Sequence, residues 1–85
     1  RTDHTAGMDT EALANWEALR KWRTETAREH GVPAYVIFHD ATLAELARSA
    51  PDSLTAMAEV PGIGAAKLER YGDAILEALG AVEDF

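Results

Sequence analysis

A proline and two glycines within five residues, Val60-Pro61-Gly62-Ile63-Gly64, oblige this chain to turn sharply between two apolar stretches. Upstream, Leu54, Met57 and Ala58 share one helical face; downstream, Leu68, Tyr71, Ile75, Leu76 and Leu79 keep helical spacing. Gly62 and Gly64 let the backbone bend, while Ile63 between them supplies an apolar plug to anchor the bend. The first amides of the helix that starts past Gly64 have no intrahelical acceptor and stand at the positive end of its dipole. Such a corner is a potential anion site. Lys67 and Arg70 follow it, three residues apart on one face. The pattern predicts a helix-hairpin-helix, a device that often holds a nucleic-acid phosphate.

Composition narrows the setting. Eighty-five residues make one small domain, and without cysteine neither disulfides nor thiolate metal sites can staple it. Stability must come from helix packing, for which 47% hydrophobic content, much of it alanine, is sufficient. The formal charge of −7 is unusual for a chain that touches nucleic acid. Only residues 14–38, with Arg20, Lys21, Arg23 and Arg28 against Glu17, Glu25 and Glu29, carry a positive excess. Phosphate affinity follows charge neutralisation and counterion release, so DNA binding by the domain alone is expected to be weak at physiological salt. No run is long enough to span a bilayer and no secretory pattern opens the chain, so a soluble intracellular module is expected.

Along the chain, residues 1–9 read as a flexible linker, residues 10–80 as the folded domain and residues 81–85 as an acidic tail. Asp9 or Thr10 caps a first helix reaching about His30, with Ala12, Trp16, Leu19, Arg23, Thr26, Ala27 and His30 on one side. Arg23 interrupts that apolar stripe. Its stem is expected to pack while its guanidinium ties down a loop carbonyl or a carboxylate such as Asp40. Gly31 stops the helix. Val36, Ile37 and Phe38 have strand propensity but no second strand to pair with, so an extended or 3₁₀ connector is expected. Asp40 is placed as the cap of a helix burying Leu43, Leu46 and Ala47 and ending at Pro51; Ser53 caps the next, with Leu54, Met57 and Ala58 inward. Gly72 is read as a bend between two short helices, and Gly80 as the end of the last.

Catalytic signatures are missing. Gly62-x-Gly64-x-x-Lys67 lacks the third glycine and preceding strand of a dinucleotide fingerprint and the Gly-Lys-Ser/Thr run of a phosphate loop. His4, His30 and His39 fall at no metal-ligand spacing, and no serine or threonine has a base partner in sequence. No enzyme activity, cofactor or metal is expected.

The run Pro33-x-Tyr35-Val36-Ile37-Phe38-x-Asp40-x-Thr42-Leu43-x-Glu45-Leu46-Ala47, then Pro51, then Val60-x-Gly62-Ile63-Gly64-x-x-Lys67-Leu68-x-x-Tyr71-Gly72-x-x-Ile75-Leu76, resembles the HRDC domain (helicase and ribonuclease D C-terminal). The upstream Leu19-x-x-Trp22-Arg23-x-x-x-Ala27 fits the same pattern, and the likeness covers about residues 13–80. The resemblance implies an all-α bundle of about five short helices containing a helix-hairpin-helix. It further implies a non-catalytic accessory domain of a RecQ-like or UvrD-like DNA helicase, monomeric and cytoplasmic, or nucleoid-associated in a bacterium. Weak contact with single-stranded or partly duplex DNA is expected from Gly62, Ile63, Gly64, Lys67 and Arg70. Arg20, Lys21 and Arg28 are expected to extend that contact, and Tyr35 to stack on an unpaired base. The alternatives are an acidic docking module for the parent helicase core or another protein, and an RNA-binding accessory of a ribonuclease D-like exonuclease.

Overall fold

Asp9 starts the first helix: its carboxylate accepts from the Ala12 amide at 2.8 Å, satisfying one of the donors a helix start leaves open. Helix α1 runs Thr10–His30 and ends on Gly31, whose φ of 64° is the left-handed conformation that glycine adopts without strain. The structure, a computed structural model, describes residues 3–82; residues 83–85 of the expected tail and residues 1–2 of the expected linker lie outside them. The connector is not extended. It forms one helical turn, α2 (Ala34–Ile37), with Pro33 setting its entry and the Phe38 amide closing on the Ala34 carbonyl at 3.3 Å.

Helix α3 spans Asp40–Ser49, and its cap position falls on His39 with no side-chain bond. Asp40 is therefore the first helical residue and not the expected cap, because its carboxylate is committed to Arg23. Helix α4 (Leu54–Ala58) is capped as expected, Ser53 Oγ accepting from the Ala56 amide at 3.0 Å. Helix α5 runs unbroken over Ala65–Gly80, so Gly72 makes no bend. A Cβ at the buried Gly72 would stand 2.6 Å from Leu54 Cδ2. The glycine lets α4 approach closely.

The core draws on all five helices and on Phe38 and Val60 in the corners between them. Leu19, Ile37, Leu43, Leu46, Met57 and Ile75 are fully buried, each contributing about 1.5–3 kcal/mol of transfer free energy. Helix α1 packs on α3, α5 and α2, and α4 packs on α5. The predicted α1 stripe is buried except for His30, which is exposed. On α4 only Met57 is buried; Leu54 and Ala58 are exposed, since a five-residue helix offers the core little more than one side chain. Trp22 is half-buried against Phe38 and Tyr71, at ring-centroid distances of 6.1 and 5.6 Å, and so joins α1 to α2 and α5.

Two polar ties fasten the helices. Arg23 Nη1 donates to the Phe38 carbonyl at 2.9 Å, and Nη2 pairs with Asp40 Oδ1 at 2.7 Å. The buried Asn15 donates from Nδ2 to the Ala47 carbonyl at 3.1 Å, linking α1 to α3. Before α1, Arg48 Nη2 donates to the His4 and Ala6 carbonyls at 2.7 and 3.1 Å, and Met8 packs on the core. The Thr5 hydroxyl and then its amide bond Asp3, holding that exposed carboxyl below its ordinary pKa. Among the described residues no helix is long and apolar enough to cross a membrane.

Candidate nucleic-acid interface

The hairpin corner is open. Gly62 has a φ of 92°, a region that disfavours any side chain, and a Cβ there would also come within 2.6 Å of Thr42 Oγ1. The turn thus rests on the first turn of α3. Ile63 is half-buried and packs on the core, and its amide donates back to the Val60 carbonyl at 3.3 Å. Gly64 takes the cap position of α5 with no side chain to fill it. Among the described residues, the amides of Gly62, Gly64, Ala65, Ala66 and Lys67 find no acceptor. Gly62, Gly64, Ala65 and Ala66 are all exposed. Backbone donors and the positive end of a sixteen-residue helix therefore face solvent together.

Lys67 is turned away from that corner. Its Nζ donates to the Val36 and Ile37 carbonyls, each at 2.6 Å, and lies 5.3 Å from the centroid of the Phe38 ring. These carbonyls end the single turn of α2, and the ammonium takes the place of the next turn's donors. Two of its three donors are used internally. Lys67 thus braces α2 to α5, and its charge reaches a hairpin-bound anion only at a distance. Nothing in the sequence announces this, because the acceptors lie some thirty residues upstream.

The brace has a consequence for Tyr35. Fixing α2 against α5 holds this side chain, 61% exposed, at the same end of the molecule as the hairpin. Its ring stacks on His39 with centroids 6.0 Å apart and planes inclined by 20°. Together with His4, Arg23 and Asp40 the two rings line a shallow hollow. Val36 beside it is 44% exposed. Neither Val36, part of the expected connector, nor His39, noted only for lacking metal-ligand spacing, stood out in sequence as a site residue; the only signal was the four-residue spacing of Tyr35 and His39, which a one-turn helix does not make legible.

The remaining cations fall elsewhere. Arg20, Lys21 and Arg28 share a different hollow along α1 with Thr24, Glu17 and Glu25. Arg20 pairs with Glu17 at 3.4 Å and its guanidinium lies 6.0 Å from the Trp16 ring. Arg70, one turn into α5, is exposed and covers the Tyr71 ring at 5.5 Å. The hairpin and Tyr35 are thus brought to one end, while the α1 cations form a separate patch diluted by carboxylates.

Comparison with known proteins agrees with this architecture. The family model for the HRDC domain matches residues 12–79. The ATP-dependent DNA helicase UvrD2 of Mycobacterium tuberculosis is 46% identical over 72 residues, covering 85% of this chain and 10% of that protein. The ATP-dependent DNA helicase RecQ of Haemophilus influenzae is 39% identical over 67 residues, covering 79% of this chain and 10% of that protein. The chain thus spans about a tenth of the length of these relatives. Among solved structures, the D. radiodurans RecQ HRDC domain 3 superimposes with a TM-score of 0.83 at 42% identity, over 89% of this chain and all of that one. With one family model spanning the bundle, and a solved domain of the same shape and related sequence, the chain belongs to the HRDC domain family.

Proposed function

We propose that this chain is a non-catalytic accessory domain of an ATP-dependent DNA helicase, and that its hairpin makes weak, structure-selective contact with single-stranded or partly duplex DNA. The parent activity is inferred from the UvrD2 and RecQ helicases to which the chain is similar. The contact is inferred from one observation, the unpaired amides of Gly62, Gly64, Ala65, Ala66 and Lys67 at an uncapped helix start. One phosphate sits against the Gly62, Gly64, Ala65 and Ala66 amides, with Arg70 a turn further on and Tyr35 at the same end to stack a splayed base. Ile63 serves by plugging the turn into the core, and Lys67 by holding α2 in place. Arg20, Lys21 and Arg28 add long-range attraction from their own patch, reduced by Glu17 and Glu25. With about one to three phosphates neutralised, the logarithm of affinity for a single strand should fall against log salt with a slope of only about −0.7 to −2.

The test is an amide chemical-shift titration with single-stranded, forked and duplex DNA at low and at moderate salt. Shifts confined to residues 62–66 and the Tyr35 neighbourhood, larger for the strand or fork than for the duplex, are the expected outcome. No perturbation at the hairpin even at low salt would remove the hairpin from any DNA contact this domain makes.

A further inference from the structure

At the other end of α5, roughly 20 Å along its axis from the hairpin, a groove of about 590 Å³ opens between α1, α5 and the corner that follows α3. Its apolar lining comes from Ala14 on α1, Pro51 in the corner, and Leu76, Leu79 and Val82 at the end of α5. Charge around this floor has one sign among the described residues: Glu11 and Asp52 line it, and none of their lysines, arginines or histidines does. The C-terminal ends of α3 and α5 both open here, bringing the negative ends of their dipoles. The positive start of α1 is offset by the Asp9 carboxylate on the Ala12 amide and by Glu11 in the first turn. Arg48, the cation of the last turn of α3, is bonded to the His4 and Ala6 carbonyls instead.

We infer that this groove docks a basic amphipathic helix of a partner protein, its apolar stripe on Leu76, Leu79 and Val82 and its lysines or arginines over Glu11 and Asp52. Charge decides the class of occupant. Nucleic acid and anionic lipid are repelled by such a rim, and a second copy of this chain carries −7 itself. A helix that presents apolar anchors at three- and four-residue spacing with cations alongside satisfies both floor and rim. The inference stands apart from the hairpin reading, since the two sites share no residue.

A synthetic peptide of about four helical turns, with leucines on one face and lysines elsewhere, tests it against two controls: a twin with glutamates for the lysines, and a scrambled peptide of the same composition without the stripe. The lysine peptide should move the amide signals of Ala14, Leu76, Leu79 and Val82 and leave Gly62–Ala66 in place. Both controls should bind at least about tenfold more weakly. Ala14→Arg places a cation in the groove from an exposed position, and Asp52→Lys reverses one rim charge; circular dichroism checks that each variant folds. Each should weaken the lysine peptide several-fold. Equal binding by the scrambled peptide, shifts mapped away from the groove, or an unchanged affinity in both variants would overturn the proposal. Concentration-dependent shifts of the same residues without peptide would also overturn it, by assigning the groove to a second copy.

Discussion

Arg23 reaches the Phe38 carbonyl with one terminal nitrogen and Asp40 with the other, while its stem fills a place in the apolar stripe of α1. The two bonds are unequal. Phe38 is buried, so its carbonyl has no ready replacement from water, whereas the Asp40 side chain is 52% exposed and can be rehydrated. Arg23→Met should therefore cost about 2–4 kcal/mol, Arg23→Lys about 1–2 because a point-charge ammonium on a flexible stem lacks the rigid fork that meets both acceptors, and Asp40→Asn less than about 1. Chemical denaturation of the three variants checks the order. An Asp40→Asn cost as large as that of Arg23→Met would make the ion pair, not the carbonyl, the main tie. The need for such a tie was legible in sequence, because a cation within an apolar stripe must find partners. Lys67 was not, since an exposed lysine after a glycine turn has the same local sequence whether it faces solvent or a carbonyl folded against it.

Helix α5 begins on an empty cap and passes through a glycine it does not need for its own path. Gly64 has a φ of −90° and nothing within 4 Å of a Cβ, so a side chain fits there without strain. Gly64→Asp should place a carboxylate on the Ala66 or Lys67 amide, raising stability by a few tenths to about 1 kcal/mol. The same carboxylate would occupy the proposed phosphate position, so the DNA-induced shifts at residues 62–66 should vanish in a protein that is at least as stable. Retained shifts would mean that those amides are not the contact. At Gly72, alanine gains about 0.5–1 kcal/mol of helix propensity but pushes on Leu54 Cδ2, the mobile end of a side chain already 42% exposed. Rotation of Leu54 relieves the contact, so Gly72→Ala should change stability by less than about 1 kcal/mol, whereas Gly72→Leu, which cannot be accommodated by one rotation, should destabilise by about 2 or more. Thermal unfolding separates the two. Element starts, stops and caps at Asp9, Gly31 and Ser53 were legible because each is a local bond within three or four residues. The single turn of α2 and the continuity of α5 were not, because Lys67 and the fit of α4 decide them from far along the chain.

Across the whole molecule, negative charge is in excess and little of it is paired. Among the described residues the ion pairs are Arg23–Asp40 and the exposed Arg20–Glu17. Of the other cations, Lys67 and Arg48 spend their donors on carbonyls and meet no carboxylate among the described residues. Such a balance sets the sign of the response to salt. A net charge of −7 on an 85-residue chain repels itself in the compact state, and ions shorten the reach of that repulsion to about 8–10 Å near physiological strength. Raising salt from low to physiological concentration should therefore raise the melting temperature; a gain of about 1 kcal/mol corresponds to about 4–8 °C in a domain of this size. Over the same interval, binding of single-stranded DNA should weaken, because phosphate contacts are lost as counterions compete. The two curves should cross in opposite directions in one series of samples, read by calorimetry and by titration. A melting temperature that falls with salt would mean that attractive pairs outweigh the excess charge, and the exposed carboxylates would then be serving the fold itself and not lying free for a cationic partner.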